Sequence, residues 1–282
     1  MPGICDMEFL FPAVLYIVSF SSLIQSQQQS QSTCSYSIDQ KGRKQVLCEQ
    51  FRIDLGVSFN FNPNSFDLDT KVLIVTGSPS KPNQFNQTSN FNSTIFEEIH
   101  ICYAPQWEII GDDTFRLVSE TLLVLNLTHN GLRSVNEGTF RNLSRLTHLH
   151  LDNNRIGFLP SSVFGYLTAL RVLTLTKNLI NNVEPRMGYQ LGNLEVLDMS
   201  SNPIGSEILG GVEPTISQSF LTLFEDWPSL RILRLSDTGL KSLPWAVIQF
   251  RSPLLRELDF SGNQLENIGI GVTSTWTYGI IY

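Results

Sequence analysis

A chain of 282 residues is long enough for one extended array with end caps or for two compact domains. Its 19 basic and 26 acidic residues leave a net charge of -7 with no basic run, which speaks against nucleic acid as a partner and favours solubility. Only 16% of residues are charged, and Asn, Ser, Gln and Thr supply much of the remaining polar surface, as is usual in secreted proteins.

Phe9 to Ile24 is an apolar run of 16 residues followed by the polar tract QSQQQSQS. A membrane-spanning helix needs about 20 apolar residues, so the run reads as a secretory signal peptide over residues 1–26. Its opening carries Asp6 and Glu8 instead of Lys or Arg, and a signal anchor is the alternative. Residues 27–33 read as a disordered leader of the mature chain. Cys34 and Cys48 then flank a polar, hairpin-like segment containing Lys41-Gly42-Arg43. In an oxidising compartment they read as a disulfide closing an N-terminal cap over residues 34–76, since their spacing fits neither a redox CxxC nor a zinc site. Lys71 to Thr76 (KVLIVT) reads as a strand of that cap or as the first degenerate coil, and the Ser, Pro, Asn and Gln of Gly77 to Asn92 as a loop.

Residues 77–268 are read as a repeat array. A degenerate copy begins near Phe96, and six full copies of one eleven-residue phrase follow, starting at Leu122, Leu146, Leu170, Leu194, Leu230 and Leu255. Apolar residues hold places one, four, six and eleven; Asn holds place nine in five copies (Asn130, Asn154, Asn178, Asn202, Asn263) and Thr238 in the remaining one. Strand alternation turns places four and six inward and places three and five outward. One such coil cannot bury its leucines alone, so the coils must stack, with Leu125, Leu149, Leu173, Leu197, Leu233 and Leu258 in a single interior row. The ninth-place Asn suits the turn leaving the strand because it carries two donors and an acceptor, and Thr238 can replace only part of that. Phe115, Phe140 and Phe164 close the back, with Gly188 at the irregular copy.

The fourth copy carries an insertion over residues 205–229, in which Thr215 to Trp227 reads as a short amphipathic helix packed on the back. The tail, residues 269–282, lacks cysteine and any membrane span. It reads as truncated, or else its alternation of Ile270, Val272, Trp276, Tyr278 and Ile280 supplies a closing strand.

The phrase LxxLxLxxNxL, the Cys34–Cys48 cap and the 24-residue coils with Phe on the back resemble the extracellular leucine-rich-repeat superfamily, most of all Toll-type receptor ectodomains and secreted or adhesion proteins of that kind. The resemblance spans about residues 34–268. It implies an α/β leucine-rich-repeat solenoid with a curved, parallel β-sheet on its concave face, and a non-enzymatic, extracellular module that binds a protein or glycan through that face. Receptor ectodomain, adhesion protein, innate-immune recognition protein, and secreted inhibitor or decoy all fit, because the scaffold serves many functions. Membrane attachment is not encoded in these residues.

The register places Val172, Val196 and Ile232 in an outward apolar stripe that a partner could bury, with His148, His150, Arg231 and Arg234 beside it. Asp198, Arg234 and Asp259 alternate in sign at place five and should pair laterally. His148-Leu149-His150-Leu151-Asp152 matches the HxHxD of metal-dependent hydrolases, but the leucines belong to the core and a third imidazole is missing, so neither a metal site nor a cofactor is assigned. Asn86, Asn92, Asn126 and Asn142 stand in Asn-x-Ser/Thr sequons; a glycan on Asn126 would cover the N-terminal half of the concave face. Cys102 is left over once Cys5 leaves with the signal, and is either an intermolecular bridge of a homodimer or a thiol buried by a register slip.

Overall fold

The computed structural model describes residues 33–49, 66–76, 96–105, 107–184, 186–204, 227–241, 253–265 and 280–281. The expected signal peptide, the leader up to residue 32, the sequons Asn86 and Asn92, and residues 215–226 of the expected helix lie outside them. In chain order the strands are β1 (Thr33–Ile38), β2 (Lys44–Glu49), β3 (Val72–Thr76), β4 (Glu98–Cys102), β5 (Val124–Asn126) and β6 (His148–His150). There follow β7 (Phe158–Leu159), β8 (Val172–Thr174), β9 (Asn182–Val183), β10 (Val196–Asp198), β11 (Ile232–Arg234), β12 (Glu257–Asp259) and β13 (Ile280–Ile281). Among the described residues helix is confined to the 3-10 turn Arg116–Val118 and to Ile204.

The strands β1 and β2 form an antiparallel hairpin with Cys34 opposite Cys48, and the two are joined by a disulfide. From β2 onward the sheet is parallel and runs β2-β3-β4-β5-β6-β8-β10-β11-β12-β13, while β7 and β9 pair separately. Leu125, Leu149, Leu173, Leu197, Leu233 and Leu258 pair rung to rung and are fully buried, so the expected interior row exists. It continues through Ile99, Leu73 and Val46 toward the cap, and at the other end the backbone of Ile281 pairs in register with Leu258. Ile280 and Ile281 of the tail pair with β12 as β13, while Ile270, Val272, Trp276 and Tyr278 lie outside the described residues.

Each ninth-place Asn links two coils. Asn154 Nδ2 donates to Leu127 O of the preceding coil and Leu151 O of its own, each at 2.9 Å, and its Oδ1 accepts Leu132 N. Asn130, Asn178, Asn202 and Asn263 repeat the pattern. Thr238, fully buried, donates to its own Leu235 O at 2.9 Å. Ile204 N, which in other coils would meet the next Asn, closes instead on Asn202 O in a tight three-residue turn.

Place eight has a property that no residue type announces. Tyr103, His129, Asn153, Lys177, Ser201 and Asp237 have φ between 52° and 60°, and Gly262 completes the column at 68°. A left-handed backbone costs a non-glycine residue roughly 1–2 kcal/mol. It is offset here because the turn aims the amide along the array: the N–H groups of His129, Asn153, Lys177, Ser201 and Asp237 donate to place-seven carbonyls of the next coil at 2.8–3.0 Å.

On the back, Phe115, Phe140 and Phe164 are buried, and the Phe140 and Phe164 rings stack with centroids 6.0 Å apart. Gly188 breaks this spine because Trp227 of the following coil fills the room; a Cβ on Gly188 would stand 2.0 Å from the Trp227 Nε1. Gly188→Ala is therefore expected to lower unfolding free energy by roughly 1–3 kcal/mol, read by urea denaturation. Lys177→Gly should raise it by about 0.5–1 kcal/mol by relieving the left-handed strain, whereas Thr176→Gly, one residue earlier, should lower it.

Candidate functional site

The outward face of the parallel sheet consists of side chains brought side by side from coils 24 to 36 residues apart. Row three runs Glu98, Val124, His148, Val172, Val196, Ile232, Glu257, and row five runs His100, Asn126, His150, Thr174, Asp198, Arg234, Asp259. Val172, Val196 and Ile232 are half-buried neighbours, and the expected stripe is continuous. Its N-terminal border is a polar network and its C-terminal border a set of ion pairs.

The network fixes the chemistry of two histidines. Thr174 Oγ1 has one hydrogen, which it donates to Asp152, so it must accept from His150 Nδ1, 2.9 Å away. Thr147 Oγ1 donates to Leu123 O at 2.8 Å and accepts from His148 Nδ1 at 2.9 Å by the same reasoning. Both neutral imidazoles thus keep their proton on Nδ1 and turn an Nε2 acceptor outward. The rings lie 6.4 Å apart, and among the described residues no group of three or more His, Cys, Asp or Glu could hold a metal ion.

Farther toward the cap the face is closed. Glu98 and His100 are buried, the latter to 5% exposure, with the Glu98 carboxylate 3.6 Å from His100 Nε2 and bonded to Lys41 and Arg43 of the β1–β2 turn. The His100 imidazole, followed by Arg43 and Lys41, holds the Glu98 carboxyl far below the usual carboxylate range against burial that pushes it up. Asn126 is only 6% exposed, and its Oδ1 accepts Thr128 N at 3.0 Å. Its side chain is thus sealed into the face, not raised above it as expected. Of the other described sequon, Asn142 stands exposed on the back. Cys102 is fully buried, 3.7 Å from Thr128 Oγ1, and is disulfide-bonded, so it is not the leftover free thiol that the sequence reading expected.

At the C-terminal border the expected ion pairing holds for Asp198 and is corrected for Asp259. Arg234 binds Glu257 of the next strand, with Nε 2.9 Å from Oε1, and reaches Asp198 only at 3.8 Å. Asp259 instead accepts Ser261 N and Oγ. Row-three and row-five residues of adjacent strands are diagonal neighbours, and comparing them diagonally would have found Glu257. Place two, of which the sequence reading singled out only Arg231, supplies Arg171 (61% exposed side chain), Glu195, Arg231 and Arg256 along one rim. Glu195 lies 3.2 Å from Arg171 and 3.9 Å from Arg231. The face is therefore basic along place two, aliphatic along place three, and acidic at Asp198, Asp259 and Asp237 beyond.

Comparison with known proteins gives the following. The family model described as Leucine rich repeat matches residues 108–156 and 144–204, and a second, Leucine Rich repeat, matches 251–271. Toll-like receptor 3 of Boselaphus tragocamelus is 33% identical over 177 residues, covering 56% of this chain and 20% of that protein. Fibromodulin of Oryctolagus cuniculus is 33% identical over 133 residues, covering 44% of this chain and 89% of its own. The crystal structure of the TLR13-ssRNA13 complex superposes with a TM-score of 0.59 at 21% identity, over 73% of this chain and 29% of that one. The chain spans about a fifth of the length of the Toll-like receptor 3 it matches.

The titrating groups set the sign of the pH response. Burial holds His148 and His150 below their ordinary 6.5, so the unfolded chain takes up protons first as pH falls, and stability is lost from about neutrality downward. Glu98, held low, adds a second loss below its ordinary 4.5. Asp198, pushed up by burial, acts in the opposite sense but only toward its ordinary 3.8. The melting temperature should therefore fall from about pH 7.5 to about pH 5.5, and His150→Gln should flatten that slope. A melting temperature that rises on acidification would contradict the assignment.

Proposed function

The chain belongs to the leucine-rich-repeat superfamily, and from that premise we propose that it is an extracellular binding module whose ligand is a protein seated across strands β8 to β12. The observation that carries this reading is the in-register row Val172, Val196 and Ile232, half-buried and unbroken, with arginines on one flank and aspartates on the other. An aliphatic strip between two borders of opposite sign suits an extended segment that has an apolar side, an acidic edge toward Arg171, Arg231 and Arg256, and a basic edge toward Asp198 and Asp259. Arg234, already bound to Glu257, contributes shape more than free charge.

A nucleic-acid ligand has one argument in its favour, since a fold neighbour was solved with RNA. Two features of this chain weigh against it. Its net charge is -7, and the outward Nε2 atoms of neutral His148 and His150 are acceptors, as phosphate oxygens are. Donors from a protein ligand fit them better. Acidification would convert both imidazoles to cationic donors, so a ligand seated against them would be released.

The reading is tested by immobilising the secreted full-length chain and capturing binders from cell-surface and extracellular fractions, with single-stranded RNA as a competing probe. Val196→Lys with Ile232→Lys should weaken capture at least tenfold at an unchanged melting temperature, and Tyr189→Lys on the back should leave it intact. Equal loss from both variants, or displacement by RNA, would reject a protein ligand on this face.

A further inference from the structure

Exposed apolar side chains are scattered over the back of the array, but two of them flank a sequon. Asn142-Leu143-Ser144 sits two residues beyond Phe140 of the back spine. Two residues beyond the neighbouring spine residues Phe115 and Phe164 stand Leu117 and Tyr166, 46% and 37% exposed. The coils are in phase here: Asp113 N donates to Gly138 O at 3.0 Å on one side, and the Phe140 and Phe164 rings stack at 6.0 Å on the other. Leu117, Asn142 and Tyr166 therefore form one row along the back, with the asparagine in the middle. Asn142 itself has φ 67° and is exposed, while Leu143 beside it is fully buried and anchors the turn.

We propose that Asn142 carries an N-linked glycan whose first sugars rest on Leu117 and Tyr166, so that the carbohydrate seals the apolar row on the back and leaves the concave sheet clear. This rests on the extracellular reading above. An N-acetylglucosamine has an apolar face of ring C–H groups and an acetamide methyl, and the side chains of Tyr166 and Leu117 offer the matching surface one coil to either side. Two exposed hydrophobics with a sugar between them lose apolar area to the carbohydrate instead of to another protein. The other described sequon makes the contrast, because the Asn126 side chain is enclosed by its own face and by the bond from Thr128 N.

The test uses the full chain secreted from cultured animal cells, with glycopeptide mass spectrometry and thermal unfolding. Ser144→Ala removes the sequon and leaves the left-handed Asn142 in place. Occupancy is expected at Asn142 and not at Asn126, and Ser144→Ala is expected to lower the melting temperature by about 2–4 °C. The same substitution in a Leu117→Ser, Tyr166→Ser background should produce less than half that shift, because the seat is gone. An equal shift in both backgrounds, a bare Asn142 on the secreted chain, or a glycan at Asn126 in its stead overturns the proposal while leaving the extracellular reading intact. A chain that stays in the cytosol with every sequon bare overturns both.

Discussion

The fold depends on the link that each ninth-place asparagine makes between one coil and the one before it. A coil of about 24 residues cannot satisfy its own turn. The carbonyls of Leu127 and Leu151 each accept from two successive asparagines, Asn154 being common to both, and the Leu132 amide donates to the Asn154 oxygen. Buried polar groups without partners are costly, so the hydrogen bonds set the coil spacing before the leucines fill the interior. Thr238 tests this: its one hydroxyl reaches Leu235 O of its own coil and Asn263 Oδ1 of the next but not the preceding coil, whose Ile204 amide closes locally on Asn202 O.

Most of this was legible in the sequence because period, burial and hydrogen-bonding chemistry all repeat. The interior row, the asparagine ladder, the phenylalanine spine and the Cys34–Cys48 closure each follow from residue type at a fixed place. What stayed hidden has a physical reason. The left-handed place-eight column holds Tyr, His, Asn, Lys, Ser, Asp and Gly, a set without common chemistry, because the conformation is imposed by the amide's partner in the next coil. Trp227 holds the place that Leu143, Leu167 and Leu191 hold in other coils, and its packing onto Gly188 depends on the size of the two residues, which the repeat phrase does not specify. Burial of Asn126 and Glu98 could not be read from alternation, which assigns an outward direction but not what lies above it.

The binding face was legible in part. Its aliphatic row came directly from the register, whereas its charges were assigned within one row when the pairing runs between rows, as Arg234 and Glu257 show. The tautomers of His148 and His150 required the threonines' own hydrogen bonds, which no sequence pattern carries. The outcome is a sheet divided along its length: closed and cross-linked by ion pairs near the cap, polar through β6, and open with an apolar centre from β8 onward.

Val196 and Ile232 lie 36 residues apart and still face each other in the register that other coils reach with 24 or 25. The ladder counts rungs and is blind to the contour length between them. Extra residues between two rungs can thus be gained, lost or rewritten over evolutionary time while the recognition surface keeps its spacing. Specificity and elaboration are free to drift independently within a single chain.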